Sequence, residues 1–349
     1  MFSKVSMTCR LNNTLSQIGL QTQTWKGPDG STALLLPHGG RILGLFAPAS
    51  EKNFFWTNPA LKSTDSARAL FQSTSWHNSG GDRTWLSPEI DFFLPEFPKL
   101  TPYVQARQFD PGNYKLNFTG DNFVLKNEFE FALCRSKRTV TIEISKSLWP
   151  ALNPLRDRSL RDIAYAGFAL HTELTVENGH RDPAFVGIWN LLQLPHRGEL
   201  LVPTFSRSPQ VTYFGTIAEN DLTITDHLVR YDMNAKGKQK IGFPPECITG
   251  RAGYLCRGEV ESSLVIRTFT VDPSGQYLDV PWRETGSTAC ALQACNINGD
   301  LGTFSELEYH TPGVGGRAGR FTHLDRSQVW AFRGATSEIL KIAHELLGF

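Results

Sequence analysis

Short apolar runs separated by Gly, Pro, Asn and Asp dominate this chain, and they restrict the folds it can adopt. Many of the runs alternate apolar with polar residues at period two, as in Thr139 to Ser145 and Glu173 to Glu177. Such alternation is typical of half-buried antiparallel strands. Turn sequences such as "TGDN", "VENGHRDP", "DPSG" and "INGD" recur between the runs and favour hairpins and meanders over βαβ crossovers. The pattern predicts a mainly β protein.

The number of domains is not decided by length, because 349 residues suit one large β domain or two ordinary ones. We find no repeat of roughly 20–50 residues and no low-complexity linker. The stretch "LWPALNPLRDRSLRD" reads as a loop, with strand patterns on both sides. We therefore expect residues 1–349 to form a single large antiparallel β-sandwich.

The clearest helix signal lies at the end of the chain. With Thr336 or Ser337 as the N-cap, the apolar residues fall on one helical face, and Gly348 is placed to end the helix. The apolar residues on that face are Ile339, Ala343, Leu346 and Leu347. The sequence predicts a short C-terminal helix.

The charge balance excludes several classes of partner. Thirty-five Lys and Arg face thirty-four Asp and Glu, so we expect neither a nucleic acid nor a membrane surface as a partner. The first residues lack the apolar core of a secretory signal, which predicts a soluble, cytoplasmic protein. Six cysteines are scattered without a CxxC pair. This spacing indicates no zinc or redox motif, and we expect no metal and no cofactor.

The stretch "TFSELEYHT" concentrates carboxylates on one side of a predicted strand. Glu306, Glu308 and His310 share a face with Phe304, because successive side chains of a strand alternate. A solvated face is the simpler interpretation. However, glutamate is a poor strand former and like charges two residues apart repel, so a compensating cation or ligand is expected. We predict a functional role for at least one of these glutamates.

The stretch "HNSGGDRTWLSPE" contains a second group of polar residues around Gly80-Gly81. Arg83 offers planar donors and Trp85 an aromatic face, which is what a sugar-binding cleft requires. The alternative is a glycine-rich hairpin with a surface arginine and a core tryptophan. The other candidates in this stretch are His77, Asp82 and Glu89.

Two further stretches contribute candidates. In "WNLLQLPHRG", Trp189 and Gln193 share strand parity and are predicted to face the same cleft. In "GKQKIGFPP", Lys240 lies beside an apolar turn, where a solvated lysine is the default alternative to a ligand-binding one.

Four segments in this order carry a resemblance to a known superfamily: "GGRILGLF", "GGDRTWLSPE", "TVENGHRDPAFVGIWNLLQLP" and "ELEYHTP". The chain resembles the galactose-mutarotase-like superfamily, which includes aldose 1-epimerases, and more closely an uncharacterised branch of it. The resemblance implies an antiparallel β-supersandwich whose concave face binds a monosaccharide or sugar-like ligand.

The resemblance also implies roles for individual residues. The segment from Leu307 to His310 matches the late-strand motif that carries the family's general base, so Glu308 inherits that role. Trp189 stands where the family has its acid, a histidine, and would supply a stacking surface instead. A proton donor would then come from elsewhere, for example His77, His196, Arg83 or His310.

We predict Glu308 and His310 as catalytic. The predicted substrate-binding residues are His77, Asp82, Arg83, Trp85, Glu89, Trp189, Gln193, Lys240 and Glu306.

Three hypotheses remain open from the sequence. The first is a carbohydrate-binding protein of aldose 1-epimerase type that interconverts sugar anomers. The second is a non-catalytic sugar-binding or sensing module on the same fold. The third is a structural sandwich, in which Arg83 would pair directly with Glu306 or Glu308 and leave no cavity. Under the first two, we expect Arg83 and Glu89 to lie across one cleft from Glu306, Glu308 and His310.

Overall fold

A computed structural model describes residues 7–119, 122–158, 162–179, 183–282 and 286–349. Parts of three predicted loop or turn stretches lie outside these ranges: "TGDN" at 120–121, "LWPALNPLRDRSLRD" at 159–161 and "VENGHRDP" at 180–182. The described residues form twenty strands in two large sheets, with few helices. The prediction of a mainly antiparallel β fold is confirmed.

The strands run in chain order as follows. They are β1 Gln23–Lys26, β2 Thr32–Leu36, β3 Arg41–Phe46, β4 Asp82–Ser87, β5 Lys115–Thr119, β6 Asn122–Ala132, β7 Thr139–Pro150, β8 Ala164–Asn178, β9 Phe185–Pro195, β10 Glu199–Pro203, β11 Val211–Phe214, β12 Leu222–Ile224, β13 Leu228–Asp232, β14 Gly237–Phe243, β15 Arg251–Cys256, β16 Glu261–Phe269, β17 Leu292–Gly299, β18 Gly302–His310, β19 Val314–Gly315 and β20 Gly319–Ala335. The first sheet has the order β1-β2-β3-β4-β9-β18-β17-β14-β11, with β19 paired to β9. The second has the order β12-β13-β10-β15-β16-β20-β8-β7-β6-β5.

The two sheets pack through one large apolar core. Leu192 of β9 and Leu307 of β18 come from the first sheet, and Phe168 of β8 and Val329 of β20 come from the second. Because side chains alternate along a strand, the residues between these positions in β9 and β18 point away from the core. The central strands of the first sheet therefore present a second, outer face on which a site can form.

Helices pack on both sheets, on the faces that point away from the shared core. They are α1 Met7–Gln17, α2 Thr64–Gln72, α3 Glu89–Phe92 and α4 Thr336–Leu347, with short 3₁₀ or π turns at Pro59–Lys62, Gln108–Gly112 and Glu219–Asp221. The C-terminal helix α4 was predicted. Its N-cap is Ala335, one residue before Thr336 and two before Ser337, the two predicted N-caps, and Gly348 ends it in the left-handed conformation at φ 74°. Among the described residues, no helix is both long enough and apolar enough to cross a membrane.

Candidate functional site

The register of five neighbouring strands gathers the polar residues on the outer face of the first sheet. Antiparallel pairing of β4, β9, β18, β17 and β14 aligns three rows of side chains across the sheet. The rows are Arg83, Leu191, Glu308 and Gln293; Gln193, Glu306, Cys295 and Lys240; and Trp85, Trp189 and His310. Stretches far apart in the sequence are thereby brought together, and Arg83 and Glu308 share one face.

A cavity of about 670 Å³ opens above these rows. Four of the chain's eight tryptophans line it, together with other aromatic, acidic and basic side chains. The aromatic residues are Trp76, Trp85, Tyr103, Trp189, Phe214, Trp282 and Phe304, and the charged ones are Arg83, Glu89, Lys238, Lys240, Asp300, Glu306 and Glu308. Aromatic walls with a few converging polar groups are typical of small-molecule sites.

Glu308 lies in the wall of the cavity and is completely buried. Its Oε2 accepts hydrogen bonds from the Trp189 indole Nε1 at 2.8 Å and from the Lys240 Nζ at 3.0 Å. Its Oε1 has no hydrogen-bond partner among the described residues. Burial raises the pKa of Glu308 to about 7, against the opposing effect of the Lys240 charge. One carboxylate oxygen is thus held in place, and the other can receive a proton.

Lys240 is buried rather than solvated, so the solvated interpretation of this residue was wrong. Burial lowers its pKa, but the negative charges of Glu308, Glu89 and Asp279 outweigh burial and raise the pKa above its ordinary value. The ammonium lies 4.3 Å from the Trp189 ring centroid. It therefore remains a cation at neutral pH and helps to hold Glu308.

Arg83 is the second cation in the wall. Its Nη2 pairs with Glu306 Oε1 at 2.8 Å, and its guanidinium lies 5.1 Å from the Trp76 ring and 4.1 Å from the Trp85 ring. Nε and Nη1 are buried and have no hydrogen-bond partner among the described residues. The direct pair fits the structural hypothesis, whereas the cavity beside it does not.

One buried carboxylate behind the wall orients both tryptophans that flank Arg83. Asp110 Oδ2 accepts hydrogen bonds from Trp76 Nε1 at 2.8 Å, Trp85 Nε1 at 2.9 Å and Arg41 Nη2 at 3.1 Å. Since these bonds fix the indole planes, they also fix the slot that the Arg83 guanidinium occupies.

Glu89 lines the cavity from the start of α3, immediately after β4 and the proline that follows it. Its Oε1 accepts a hydrogen bond from the Tyr103 hydroxyl at 2.7 Å, and its Oε2 accepts one from Trp282 Nε1 at 3.2 Å. Burial raises the pKa of Glu89, and the charge of Asp279 adds to this effect while Lys240 opposes it.

Trp189 was expected to offer its ring as a stacking surface for a ligand, but the structure gives it contacts within the protein. Its indole N–H is directed at Glu308, and His310 stacks on it with ring centroids 5.4 Å apart. His310 itself is buried and does not line the cavity. Burial, with a smaller effect from the Lys240 charge, holds the pKa of His310 well below its usual value. This imidazole is neutral at physiological pH and lies behind the tryptophan.

Three other predicted residues also lie outside the cavity lining. Asp82 is on the opposite face of β4 and pairs with Arg267 at 2.7 Å, because its position in the strand is one residue away from Arg83. Gln193 Nε2 donates to Glu306 Oε1 at 3.0 Å and so supports the carboxylate from the side. His77 is buried, with its Nδ1 3.0 Å from the Nε2 of His38.

Several lining residues escaped the sequence interpretation. Trp76 directly precedes the quoted stretch that begins at His77, so a wider window would have included it. Cys295 pairs across the strands with Glu306, a contact that depends on sheet register. Tyr103 and Trp282 lie in loops, where no periodicity indicates which way a side chain points.

Cys295, Glu306 and Glu308 offer ligand atoms that all lie within 4.8 Å of one another. Thiolate and carboxylate are ligands for zinc. Here, however, Arg83 and Lys240 already neutralise the two carboxylates, and burial, followed by the negative charge of Glu306, raises the pKa of the Cys295 thiol well above its usual value. The charges of this cluster are balanced by protein cations, so we assign it no metal.

The chain is similar to solved structures of low sequence identity. The Slr1438 protein from Synechocystis sp. PCC 6803 is 12% identical, with a TM-score of 0.50 over 90% of this chain and 96% of that one. A galactose mutarotase-like protein from Lactobacillus casei ATCC 334 is 11% identical, with a TM-score of 0.50 over 89% and 100%. Similarity at this identity concerns the fold alone.

Sequence comparison identifies a family. No curated protein matches the chain. The model of DUF6786, described as a family of unknown function, matches residues 40–349. The matched range includes all the strands that carry the site, from β4 to β18. The chain therefore belongs to the DUF6786 family, whose function is unknown, and it has the galactose-mutarotase-like fold.

Proposed function

We propose that the cavity binds a monosaccharide and interconverts its anomers, with Glu308 as the general base. The observation that carries this proposal is the state of Glu308, a buried carboxylate with one restrained oxygen, one oxygen without a hydrogen-bond partner, and a pKa of about 7. A general base works best when its pKa lies near the working pH. The Oε1 atom would take the proton from the anomeric hydroxyl.

The surrounding side chains suit a sugar ring. Trp76, Phe214 and Trp282 line the cavity and are only half-buried, so their rings are accessible to the C–H face of a pyranose. Arg83 offers Nη1 as a donor to a sugar hydroxyl. Because Glu306 and Glu308 are each paired with a cation, a neutral ring can enter without leaving either of these charges uncompensated.

A non-catalytic sugar-binding module is the second candidate. It is favoured by the absence of histidine from the described residues of the cavity lining and by the Trp189 indole bound to Glu308. Under this alternative, sugars bind but their anomers exchange at the uncatalysed rate.

The test is exchange NMR of α and β anomers across a panel of aldoses, with wild-type protein, Glu308→Gln and Glu130→Gln. Glu130 is an exposed carboxylate on β6 and serves as the matched control. We expect acceleration by the wild type and the control, and a loss of about 100-fold or more in Glu308→Gln, the contribution typical of a positioned base. Binding of a sugar without acceleration supports the module instead. A panel with neither binding nor acceleration contradicts both candidates.

A further inference from the structure

Ring opening requires a proton donor, and the residues that the structure describes in the cavity lining include no histidine. We propose that Glu89 is this donor, delivering its proton to the ring oxygen of the sugar, and that Tyr103 connects Glu89 to solvent. This inference rests on the proposed anomer interconversion and adds a second catalytic residue to it.

The two buried cations of the wall, Arg83 and Lys240, are poor donors. Arg83 is paired with Glu306 at 2.8 Å, and a guanidinium is too weak an acid to serve as a proton donor. Lys240 is tied to Glu308 at 3.0 Å, and the carboxylates around it strengthen its hold on its proton. His310 and His77 do not line the cavity. Glu89 lines the cavity, and its carboxyl group can carry a proton to a bound ligand.

Hydrogen bonds hold Glu89 both at its backbone and at its carboxylate. Its backbone N–H donates to Asp279 Oδ1 at 2.9 Å, and its two carboxylate oxygens accept from Tyr103 and Trp282. The same Asp279 accepts a hydrogen bond from Gln293, which is the cross-strand neighbour of Glu308. Hydrogen bonds through Asp279 and strand pairing at Gln293 therefore connect the backbone of Glu89 to that of Glu308.

Lys240 provides a second link between the two carboxyl groups. Its ammonium pairs with Glu308 at 3.0 Å, and although burial lowers the pKa of this ammonium, the charges of Glu308 and Glu89 both raise it. Burial raises the pKa of each carboxyl, and both residues line the same cavity. An acid and a base thus face one cavity.

Tyr103 contacts Glu89 and is partly exposed to solvent. Its hydroxyl donates to Glu89 Oε1 at 2.7 Å, while the residue as a whole is 37% exposed. Its ring stacks on Phe93 with centroids 5.0 Å apart and an interplanar angle of 15°, which holds the side chain in place. A side chain that contacts Glu89 inside the cavity therefore also reaches the surface.

The reaction balances with these two groups alone. Glu89 gives its proton to the ring oxygen as the bond from C1 to that oxygen breaks, and the bonding electron pair goes to the oxygen. Glu308 takes the proton of the C1 hydroxyl, and the C1 carbonyl forms. After rotation about the C1–C2 bond, the steps reverse and close the ring as the other anomer. Each carboxyl group ends in its starting state.

The first test compares Glu89→Gln with wild type and Glu130→Gln. We expect kcat for anomer exchange to fall by about 100-fold or more, while the sugar Kd, followed by tryptophan fluorescence, stays within about threefold. Glu89→Asp keeps a carboxyl group and should retain part of the activity. A Glu89→Gln variant that exchanges anomers at the wild-type rate overturns the role of Glu89 and leaves the proposed function standing. Wild-type protein that accelerates no sugar overturns both.

The second test uses Tyr103→Phe and the pH profile of kcat/KM. The Tyr103 hydrogen bond lowers the pKa of Glu89, so its removal should raise that pKa. An acid is active while protonated, and the alkaline limb of the profile should therefore move to higher pH. An alkaline limb that does not move, together with loss of activity in Glu89→Gln, would make Glu89 a positioning residue and overturn its role as the donor.

Discussion

Arg83 is held on three sides, by Glu306 and by the rings of Trp76 and Trp85. Its remaining nitrogens, Nε and Nη1, have no hydrogen-bond partner among the described residues. A buried donor without a partner is costly, and a ligand that accepts its hydrogen bond removes the cost. The restrained guanidinium is therefore suited to binding a hydroxyl oxygen.

Replacing Arg83 by alanine should weaken sugar binding by about 2 kcal/mol or more, as expected for a charged hydrogen bond in a buried site. Isothermal titration with a sugar that binds the wild type measures the change. Arg156→Ala, at an exposed arginine, is the control and should bind as the wild type does. Equal affinity of a folded Arg83→Ala variant would contradict a ligand contact at this residue.

For individual residues, the sequence predicted which face of a strand a side chain occupies wherever the alternation along that strand was clear. Glu306, Glu308 and His310 were predicted to share a face, and the register places them on one face of β18. The same alternation puts Asp82 and Arg83 on opposite faces of β4. Both had been assigned to the site from the residue types in their stretch alone. Lys240 could not be recognised as buried, because its partner Glu308 lies on a strand that is distant in the sequence.

In strand β7, Lys146 occupies a position that the alternation of buried and exposed residues places in the core. Val140, Ile142 and Ile144 are buried, and Lys146 continues their parity. Its Nζ donates to the backbone oxygen of Gly40 at 2.7 Å, in the turn between β2 and β3. The lysine thus connects the second sheet to the first, and burial lowers its pKa from 10.5 to about 8.

Lys146 should make stability depend on pH in the alkaline range. Between about pH 8 and 10.5 the unfolded chain holds this proton while the folded one has released it, so the free energy of unfolding rises with pH. Relative to that of Lys146→Met, the free energy of unfolding of the wild type should rise by about 3 kcal/mol across this range, as measured by urea unfolding. Lys115→Met, at an exposed lysine, should show a constant difference. A constant difference for Lys146→Met would contradict the shift.

Element boundaries were predictable where local signals were strong. The helix α4 follows from its apolar spacing and Gly348, and the two predicted N-caps lie one and two residues after the observed one. The helices α1 and α2 were not predicted. Their buried residues, such as Leu15 and Ala67, pack against β2 and β3, and no local pattern indicates that contact.

Across the whole molecule, the two sheets are joined by charge as well as by apolar packing. Arg267 of β16 pairs with Asp82 of β4 at 2.7 Å, and both side chains are fully buried. On the other face of β4, Arg83 pairs with Glu306 in the cavity wall. Two successive residues of one strand therefore connect the core to the candidate site.

The fold could be predicted from the sequence, but the enclosed shape of the cavity could not. Period-two runs and the order of the four segments led to the galactose-mutarotase-like sandwich. The rim is built from loop residues such as Asn58, Trp76, Tyr103, Trp282 and Leu301. Contacts between distant loops place these residues, and neither alternation nor composition carries that information.

The most direct measurement is a crystal structure of the protein soaked with a mixture of monosaccharides. We expect a pyranose in the cavity, with its anomeric oxygen within about 3 Å of Glu308 Oε1 and a ring hydroxyl at Arg83 Nη1. Such a complex would establish both the ligand class and the orientation that base catalysis needs. A cavity without sugar at saturating concentration, or a sugar bound with its anomeric carbon away from Glu308, would contradict the proposed function.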